Sequence, residues 1–233
     1  MKRVLRTMLK VSAWGIAAVA VALLAAHLVW KYSGTGTWEL AINKKGVKVY
    51  TMKVPGETVM RFKATTRVKT SLNRAVMAMV STKTEDCADW MPGCLSKVAI
   101  QPWDSKKLTY THLYSLDLPS PFRPRDFVIK AKVTQNPADK SVLVKFDAAP
   151  DEAPLDACCV RVEKLDNHWR FTPAGNGEVE VESMVNGDQK VPYFMANRFA
   201  PRSLYVLCRR LQKFLDQEKW QHARYDGIVE PQS

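Results

Sequence analysis

The sequence lacks the short motifs of common catalytic and phosphate-binding sites. It contains no G-x-S-x-G, no P-loop and no H-E-x-x-H, and the Gly-x-Gly at residues 34–36 precedes no strand–helix unit. The histidines His27, His112, His168 and His222 lie too far apart in sequence for the usual zinc spacings. An enzyme therefore has no positive support, and we expect neither a metal nor a cofactor.

Acidic residues are absent from the N-terminus, and dense basic runs are absent from the rest of the chain. Residues 1–30 hold Lys2, Arg3, Arg6 and Lys10 and no acid, so of the formal charge of +12 the remainder carries 12 − 4 = +8. A basic body favours anionic partners, either nucleic acid or phospholipid. Because the positive residues are scattered, an ordinary solvated basic surface is the simpler explanation.

A long apolar run is present at the N-terminus. Val11 to Trp30 is interrupted only by Ser12 and His27. At about 1.5 Å per residue the run spans about 30 Å, the hydrocarbon thickness of a bilayer. The preceding positive charges predict a cytoplasmic N-terminus and an exported body. The alternative is a signal peptide cleaved between Ala20 and Ala26, but the length of the run favours an uncleaved anchor.

The chain length and an apolar content of 46% fit one folded domain with additional terminal segments. We divide the chain into a basic cytoplasmic segment (residues 1–10), an anchor or signal sequence (11–31), a linker (32–37), the folded domain (38–220) and a tail (221–233). Internal repeats and low-complexity stretches are absent from the sequence.

The clearest periodic segment predicts a long helix from about Pro192 to about Gln217. Its apolar residues recur at three- and four-residue spacing and so share one face: Leu204, Leu207, Cys208, Leu211, Phe214 and Leu215. A stripe this broad must cover an apolar surface. Pro201 predicts a kink or break within the helix, because proline lacks an amide proton and clashes with the preceding turn.

Most other segments alternate between apolar and polar residues, which predicts antiparallel strands with one wet face. The predicted strands cover residues 46–53, 60–68, 95–101, 106–116, 125–134, 142–148, 160–164, 169–172 and 178–185. Ser71 to Val80 predicts a helix with a serine or threonine cap. Glu85 to Pro92 is interpreted as a compact connector, and residues 117–124 as a stiff apolar loop rich in proline.

Segments of the chain resemble a known family. These are GVKVY at residues 46–50, DWMP at 89–92, RDFV at 125–128, HWRFTP at 168–173 and the helix at 192–215. In that order and spacing they resemble the START domain, the lipid-transfer domain of the helix-grip superfamily. The resemblance implies an α+β fold in which a curved antiparallel sheet wraps around a long C-terminal helix, here with an N-terminal transmembrane helix added.

The resemblance also implies a tunnel between sheet and terminal helix that holds one lipid or sterol-like molecule, on which no chemistry is done. The loop after the 106–116 strand and the terminal helix would form its gate. Some sterol-binding relatives carry a polar pair inside the tunnel, and its positions fall here on Ala131 and near Leu113. This departure argues against sterol specificity of the familiar kind.

The candidate ligand-binding residues fall into three groups. Tyr110, His112 and Tyr114 are polar rings on one strand face and either hydrogen-bond a ligand or pack within the core. Arg125, with Asp126, either fixes a headgroup or the gate loop or forms a structural ion pair. The remaining candidates line the tunnel or its mouth, or belong to ordinary core packing: Leu116, Leu118, Phe122, Phe127, Ile129, Phe146, Phe194, Met195, Phe199, Leu204 and Leu207.

Five cysteines are present, so at least one is unpaired unless two chains are linked. Cys87 and Cys94 bracket a short loop and are candidates for a disulfide in an exported body. The adjacent Cys158 and Cys159 are not a feature of the family resemblance.

Together these observations predict a membrane-anchored lipid-binding or lipid-transfer domain on the periplasmic face of a bacterial inner membrane. The expected partners are a lipid or sterol-like ligand and an anionic membrane surface, with no nucleic acid. The alternatives are an enzyme of the wider superfamily, cyclase-like or hydrolase-like, that uses Tyr110, His112 and Tyr114 or Asp126, and a non-catalytic interaction module.

Overall fold

A ten-stranded sheet and four α-helices make up the secondary structure of the computed structural model, which describes residues 2–81, 83–224 and 227–231. The helices are α1 (Lys2–Tyr32), α2 (Leu72–Val80), α3 (Thr84–Trp90) and α4 (Tyr193–Leu215). The strands are β1 (Glu39–Lys44), β2 (Val47–Met52), β3 (Arg61–Lys69), β4 (Cys94–Asp104), β5 (Thr109–Leu116), β6 (Arg125–Gln135), β7 (Val142–Ala148), β8 (Val160–Arg161), β9 (Asp166–Gly175) and β10 (Glu178–Val185).

The strands lie in the order β1-β2-β3-β10-β9-β7-β6-β5-β4, and all neighbours along this path are antiparallel. The short β8 pairs in parallel with the start of β6. The curved sheet and its C-terminal helix form the predicted helix-grip fold. The 3-10 helices at Pro150–Glu152 and Glu218–Trp220 complete the chain trace.

Strand β10 confirms the alternation read from the sequence. Val179, Val181 and Ser183 are buried, whereas Glu178 and Glu180 are exposed. Successive side chains of a strand point to opposite faces, so this pattern directs the apolar residues onto the face that carries the core.

Helix α4 agrees with the predicted long helix. Leu211, Phe214 and Leu215 pack into the main core, while Leu204 and Cys208 pack against β2 and β3. The helix continues through Pro201, so the predicted break is absent. The Asn197 side chain accepts from Met60 N at 2.8 Å and donates to Thr58 O at 3.0 Å, which fixes the turn before the proline to the body.

Two elements differ from the sequence prediction. The expected connector after α2 is the helix α3, whose short sequence has too few apolar residues to show a helical period. It is held by a disulfide between Cys87 and Cys94 and by Trp90, which packs at 5.8 Å from Trp169. Strand β1 was not predicted, because it is an edge strand whose Leu40 is exposed and so shows no alternation.

The remaining cysteines are arranged in two ways. Cys158 and Cys159 form a disulfide between adjacent residues, and Cys208 is a free, buried thiol.

Helix α1 contains a stretch long and apolar enough to cross a membrane, Ser12–Tyr32, with a mean hydropathy of 2.0. Its residues are exposed except His27, Trp30 and Lys31 near the C-terminal end, which are half-buried. Length and composition alone do not distinguish a membrane anchor from a signal sequence.

A buried ion pair lies on the outer face of β6. Asp126 accepts from Arg161 Nε at 3.0 Å and Nη2 at 2.9 Å, and both side chains are almost fully buried. Arg161 also donates to the carbonyls of Ala153 and Pro154, at 3.0 and 2.8 Å. The predicted pairing of Arg125 with Asp126 is therefore wrong, because adjacent residues of a strand face opposite sides.

Replacing Arg161 with methionine should leave Asp126 as an uncompensated buried charge. We expect Arg161→Met to lower the free energy of unfolding by about 3–5 kcal/mol. The control Arg170→Met removes only an exposed contact with Glu182 at 3.9 Å and should cost less than about 1 kcal/mol. Chemical denaturation followed by tryptophan fluorescence measures both values, and equal losses would contradict this account of the pair.

Candidate ligand-binding site

Eight of the predicted site residues lie side by side on the inner face of β5, β6 and β7. Cross-strand pairing sets Tyr110 opposite Ala131, His112 opposite Ile129, Tyr114 opposite Phe127 and Leu116 opposite Arg125, and Phe146 lies beyond Ala131 on β7. All of them are buried or half-buried. The period-two alternation of these strands is sufficient to bring them to one face.

A large open pocket of about 1010 Å³ lies at one end of this face. It is bounded by the end of α1, the β2–β3 turn, the end of β7 and the loops before β9 and before α4. The lining residues are His27, Lys31, Gly56, Glu57, Thr58, Val59, Asp147, Ala148, Glu163, Lys164, Leu165, Asp166, Asn186, Gly187, Asp188, Val191, Pro192 and Tyr193. None of the predicted site residues is among them, although Tyr193 and Pro192 adjoin the predicted Phe194.

The floor of the pocket reaches the inner face of the sheet. Ala148 lines the pocket and pairs with Ile129, which in turn pairs with His112. Leu165 also lines the pocket and packs against the core clusters that contain Tyr110 and Tyr114. His112 on β5 therefore lies two strands away from Ala148 on β7, which lines the pocket.

His112 is the most unusual of the polar rings. It is completely buried, and neither ring nitrogen has a hydrogen-bond partner among the described residues. Its ring centroid lies 4.5 Å from that of Tyr110 and 5.9 Å from that of Tyr114. Burial, together with the nearby charge of Lys97, lowers the pKa of His112 to about 3, so the imidazole is neutral at physiological pH.

Lys97 is a site residue that the sequence analysis missed. It is 3% exposed, and its Nζ donates to Met79 O at 2.9 Å and lies 5.0 Å from the ring centroid of Tyr114. The Tyr110 hydroxyl donates to the same Met79 oxygen at 3.3 Å. Burial lowers the pKa of Lys97 to about 7, against the opposing effect of Asp86.

The position of Lys97 was hard to predict because β4 is irregular. The pairing of β4 with β5 shifts between Cys94 and Ser96 and again between Ala99 and Gln101. As a result Leu95, at 51% exposure, faces solvent, although it has the same parity as the buried Lys97. The sequence contains no usable signal for Lys97, because the nearest apolar residues, Leu95 and Val98, are both exposed.

The carboxylate of Asp86 is already engaged by other groups. It accepts from Lys219 Nζ at 2.5 Å and from the Ser81 hydroxyl. Although burial raises the pKa of Asp86, these hydrogen bonds hold it below its usual value. Among the described residues, no carboxylate forms a salt bridge with Lys97.

Arg125 faces inward as expected and holds the rim of the pocket. Its guanidinium donates to Gln189 O at 2.7 Å and Lys190 O at 3.0 Å, in the loop whose residues Asp188 and Val191 line the pocket. Burial and the neighbouring Arg123 lower the pKa of Arg125. Its interactions are thus with backbone carbonyls of the rim.

The residues predicted to line the tunnel mouth differ in their exposure to solvent. Leu118, Phe122 and Met195 are half-buried, whereas Phe194 and Phe199 are 64% and 59% exposed. Phe194 contacts Tyr193 edge to face, with centroids 6.2 Å apart. Leu204 is buried in α4, and Leu207 packs against the two larger core clusters.

The buried ammonium of Lys97 should make stability depend on pH. Its folded-state pKa of about 7 lies below the ordinary value of 10.5, so the unfolded chain binds more protons between these values. Stability should therefore rise as the pH increases from about 7 to about 10. Lys97→Met should raise the free energy of unfolding by about 1–4 kcal/mol near pH 6 and by less at high pH.

Urea denaturation at several pH values measures this difference. The control is Lys132→Met, an exposed lysine on β6, which should leave the pH profile unchanged. A constant difference between Lys97→Met and wild type across this pH range would contradict the burial of a titrating ammonium.

The comparisons with known proteins agree with this geometry. The chain has the fold of a STAR-related lipid transfer protein from Xanthomonas axonopodis, with a TM-score of 0.71 and 23% identity over 78% of this chain and 100% of that one. Human StAR-related lipid transfer protein 5 shares the fold with a TM-score of 0.63 and 18% identity, over 89% of this chain and 98% of that one.

In sequence, the chain is 28% identical over 164 residues to an uncharacterised protein of Pseudomonas aeruginosa, a match that spans 70% of this chain and 78% of that protein. The family model of the START domain matches residues 22–221. This match includes the whole sheet, all of the residues that line the pocket, and α4. The protein therefore belongs to the START domain family.

Proposed function

We propose that the protein binds one lipid or other hydrophobic molecule between the sheet and α4, without chemistry on it, and presents it at the membrane that holds α1. Members of the START domain family typically bind lipids. The apolar inner face of the sheet supports an apolar occupant, because ligand sites combine apolar walls with a few polar groups that fix orientation.

The observation that carries this proposal is the position of the pocket at the end of α1. His27 and Lys31 of α1 line the pocket. Trp30 Nε1 donates to Thr58 O at 2.8 Å, and Gly56 N donates to Lys31 O at 2.8 Å. If α1 crosses the bilayer, these bonds hold the pocket mouth at the lipid–water interface.

The surface beside the mouth suits a membrane. Phe194 and Phe199 are exposed there, and Arg198 and Arg202 lie beside them in α4 and are also exposed. Large apolar side chains together with arginines bind anionic bilayers through apolar burial and charge attraction. Tyr193 connects this surface to α1 through ring contacts with His27 at 5.6 Å and Trp30 at 6.3 Å.

The proposed location of the body is the exported side, which in a bacterium is the periplasmic face of the inner membrane. The positive residues before α1 favour a cytoplasmic N-terminus. The Cys87–Cys94 disulfide fits an oxidising compartment.

In this proposal the ligand passes Ala148 on its way to the inner sheet face, because Ala148 lines the pocket and pairs with Ile129. We expect Ala148→Trp to abolish retention of dibromostearate, a mass-tagged fatty acid, by the full chain in lipid nanodiscs. The reason is that the indole would fill the passage beside Ile129, at a stability cost of about 1–3 kcal/mol. Native mass spectrometry of the released chain counts the bound probe.

Ala138→Trp is the matched control, because Ala138 is exposed in the turn between β6 and β7 and the same residue is introduced. It should retain the probe as wild type does. If Ala148→Trp also retains the probe, the pocket is not the route to the binding site. If wild type retains no probe, the proposed function fails.

The proposed membrane anchor α1 predicts how the full chain fractionates. The full chain should remain in the membrane fraction after high-salt and carbonate washes, because a span of about 20 apolar residues inserts far more firmly than surface charge attracts. A mature N-terminus between Ala20 and Ala26, found by N-terminal sequencing, would instead establish a cleaved signal peptide.

A further inference from the structure

The inner face of β4 and β5 carries polar atoms with unused hydrogen-bonding capacity. The ammonium of Lys97 has three N–H donors, and its one hydrogen-bond acceptor among the described residues is Met79 O at 2.9 Å. His112, one strand away, has no partner for either ring nitrogen among the described residues. Tyr110 and Tyr114 flank His112 and close this cluster on both sides.

Such a cluster is unfavourable in an apolar interior without a further partner. A buried polar group that lacks a hydrogen bond destabilises the folded protein, and an unpaired buried charge destabilises it more. Specific buried groups left unpaired in a folded protein often mark a functional site. A partner that satisfies both side chains must accept hydrogen bonds from the Lys97 ammonium and from the His112 N–H.

The local charge decides the sign of that partner. Asp86 is the carboxylate whose charge raises the pKa of Lys97, but it is hydrogen-bonded to Lys219 and to the Ser81 hydroxyl. Lys219 also lies 3.4 Å from Asp89, so both carboxylates are paired with Lys219, and the ammonium of Lys97 has no direct counter-ion among the described residues. A neutral imidazole adds one N–H donor without adding charge.

We propose that Lys97 and His112 form the binding site for the carboxylate of a single-chain acidic amphiphile. The inference rests on the proposed function. The carboxylate accepts from the Lys97 ammonium and from the His112 N–H, and the two tyrosine rings enclose it. The hydrocarbon chain runs past Ile129 towards Ala148, where the inner face meets the open pocket.

The charge balance favours a carboxylate over larger headgroups. The single ammonium of Lys97 is matched by one negative charge, and charge-assisted hydrogen bonds are about twice as strong as neutral ones. A single-chain phosphate monoester shares this anionic chemistry but carries up to two charges. The test therefore compares the two headgroups directly.

The test uses the full chain in lipid nanodiscs and native mass spectrometry of the released protein. The probes are dibromostearate, dibromostearyl alcohol and dibromostearyl phosphate, which share the chain and differ in the headgroup. Wild type should retain the acid roughly tenfold better than the alcohol near pH 7. Lys97→Met should lose this preference and still retain the alcohol, whereas Lys132→Met should keep the preference.

The other possible outcomes contradict either the carboxylate site or the proposed lipid binding on which it rests. Equal retention of acid and alcohol by wild type, or an undiminished preference in Lys97→Met, overturns the carboxylate site and leaves lipid binding intact. Retention of neither probe contradicts lipid binding itself. Preferred retention of dibromostearyl phosphate over the acid, or displacement of the acid by free acetate or inorganic phosphate, also overturns the proposed ligand class.

A second measurement on wild type does not depend on the folding of any variant. Carbon-13 NMR of carboxyl-labelled stearate follows the ionisation of its headgroup. The bound carboxyl should stay ionised to lower pH than the same acid in protein-free nanodiscs, because the ammonium of Lys97 stabilises its charge. Identical titration in the two samples would overturn the inference.

Discussion

Burial of the apolar stripe of α4 against the inner face of the sheet is the contact on which the rest of the structure depends. Leu211, Phe214 and Leu215 are fully buried, and each such side chain contributes about 1.5–3 kcal/mol relative to exposure. This contact fixes the second part of α4 and closes one end of the sheet. The first part, with Phe194 and Phe199 exposed, extends along the pocket and meets α1 through Tyr193.

The same enclosed interior gives Lys97 and His112 their significance. An ammonium and an imidazole would be unremarkable on the wet face of the sheet, where Lys130 and Lys132 lie. Inside, both are forced towards their neutral forms by loss of water. The fold therefore holds groups whose hydrogen bonds and charge are better satisfied with an anionic ligand present than without one.

Regular elements could be predicted from the sequence because their periodicity reflects one buried face. The stripe from Leu204 to Leu215 predicted α4, and the alternation around Tyr110, His112 and Tyr114 predicted which rings face inward. The same logic failed where pairing is irregular, as at the bulges of β4 that turn Lys97 inward and Leu95 outward. It also failed for α3, which is too short to show a period.

The pocket could not be predicted because it is built from tertiary contacts between distant segments. Lys31 and Gly56 meet through a backbone hydrogen bond that no local pattern encodes. Arg125 was expected to face inward and does, but its partners are the carbonyls of Gln189 and Lys190 in a loop without periodicity. For Arg125 the direction of the side chain could thus be predicted from the sequence, whereas its hydrogen-bond partners could not.

The central claim is that the space between sheet and α4 holds one hydrophobic molecule. Native mass spectrometry of the full chain released from its own membranes, with no probe added, tests this most directly. The account predicts one copurifying lipid per chain, removed by organic extraction and identified in the extract. A chain that is uniformly free of lipid, and that takes up none when returned to vesicles, would contradict it.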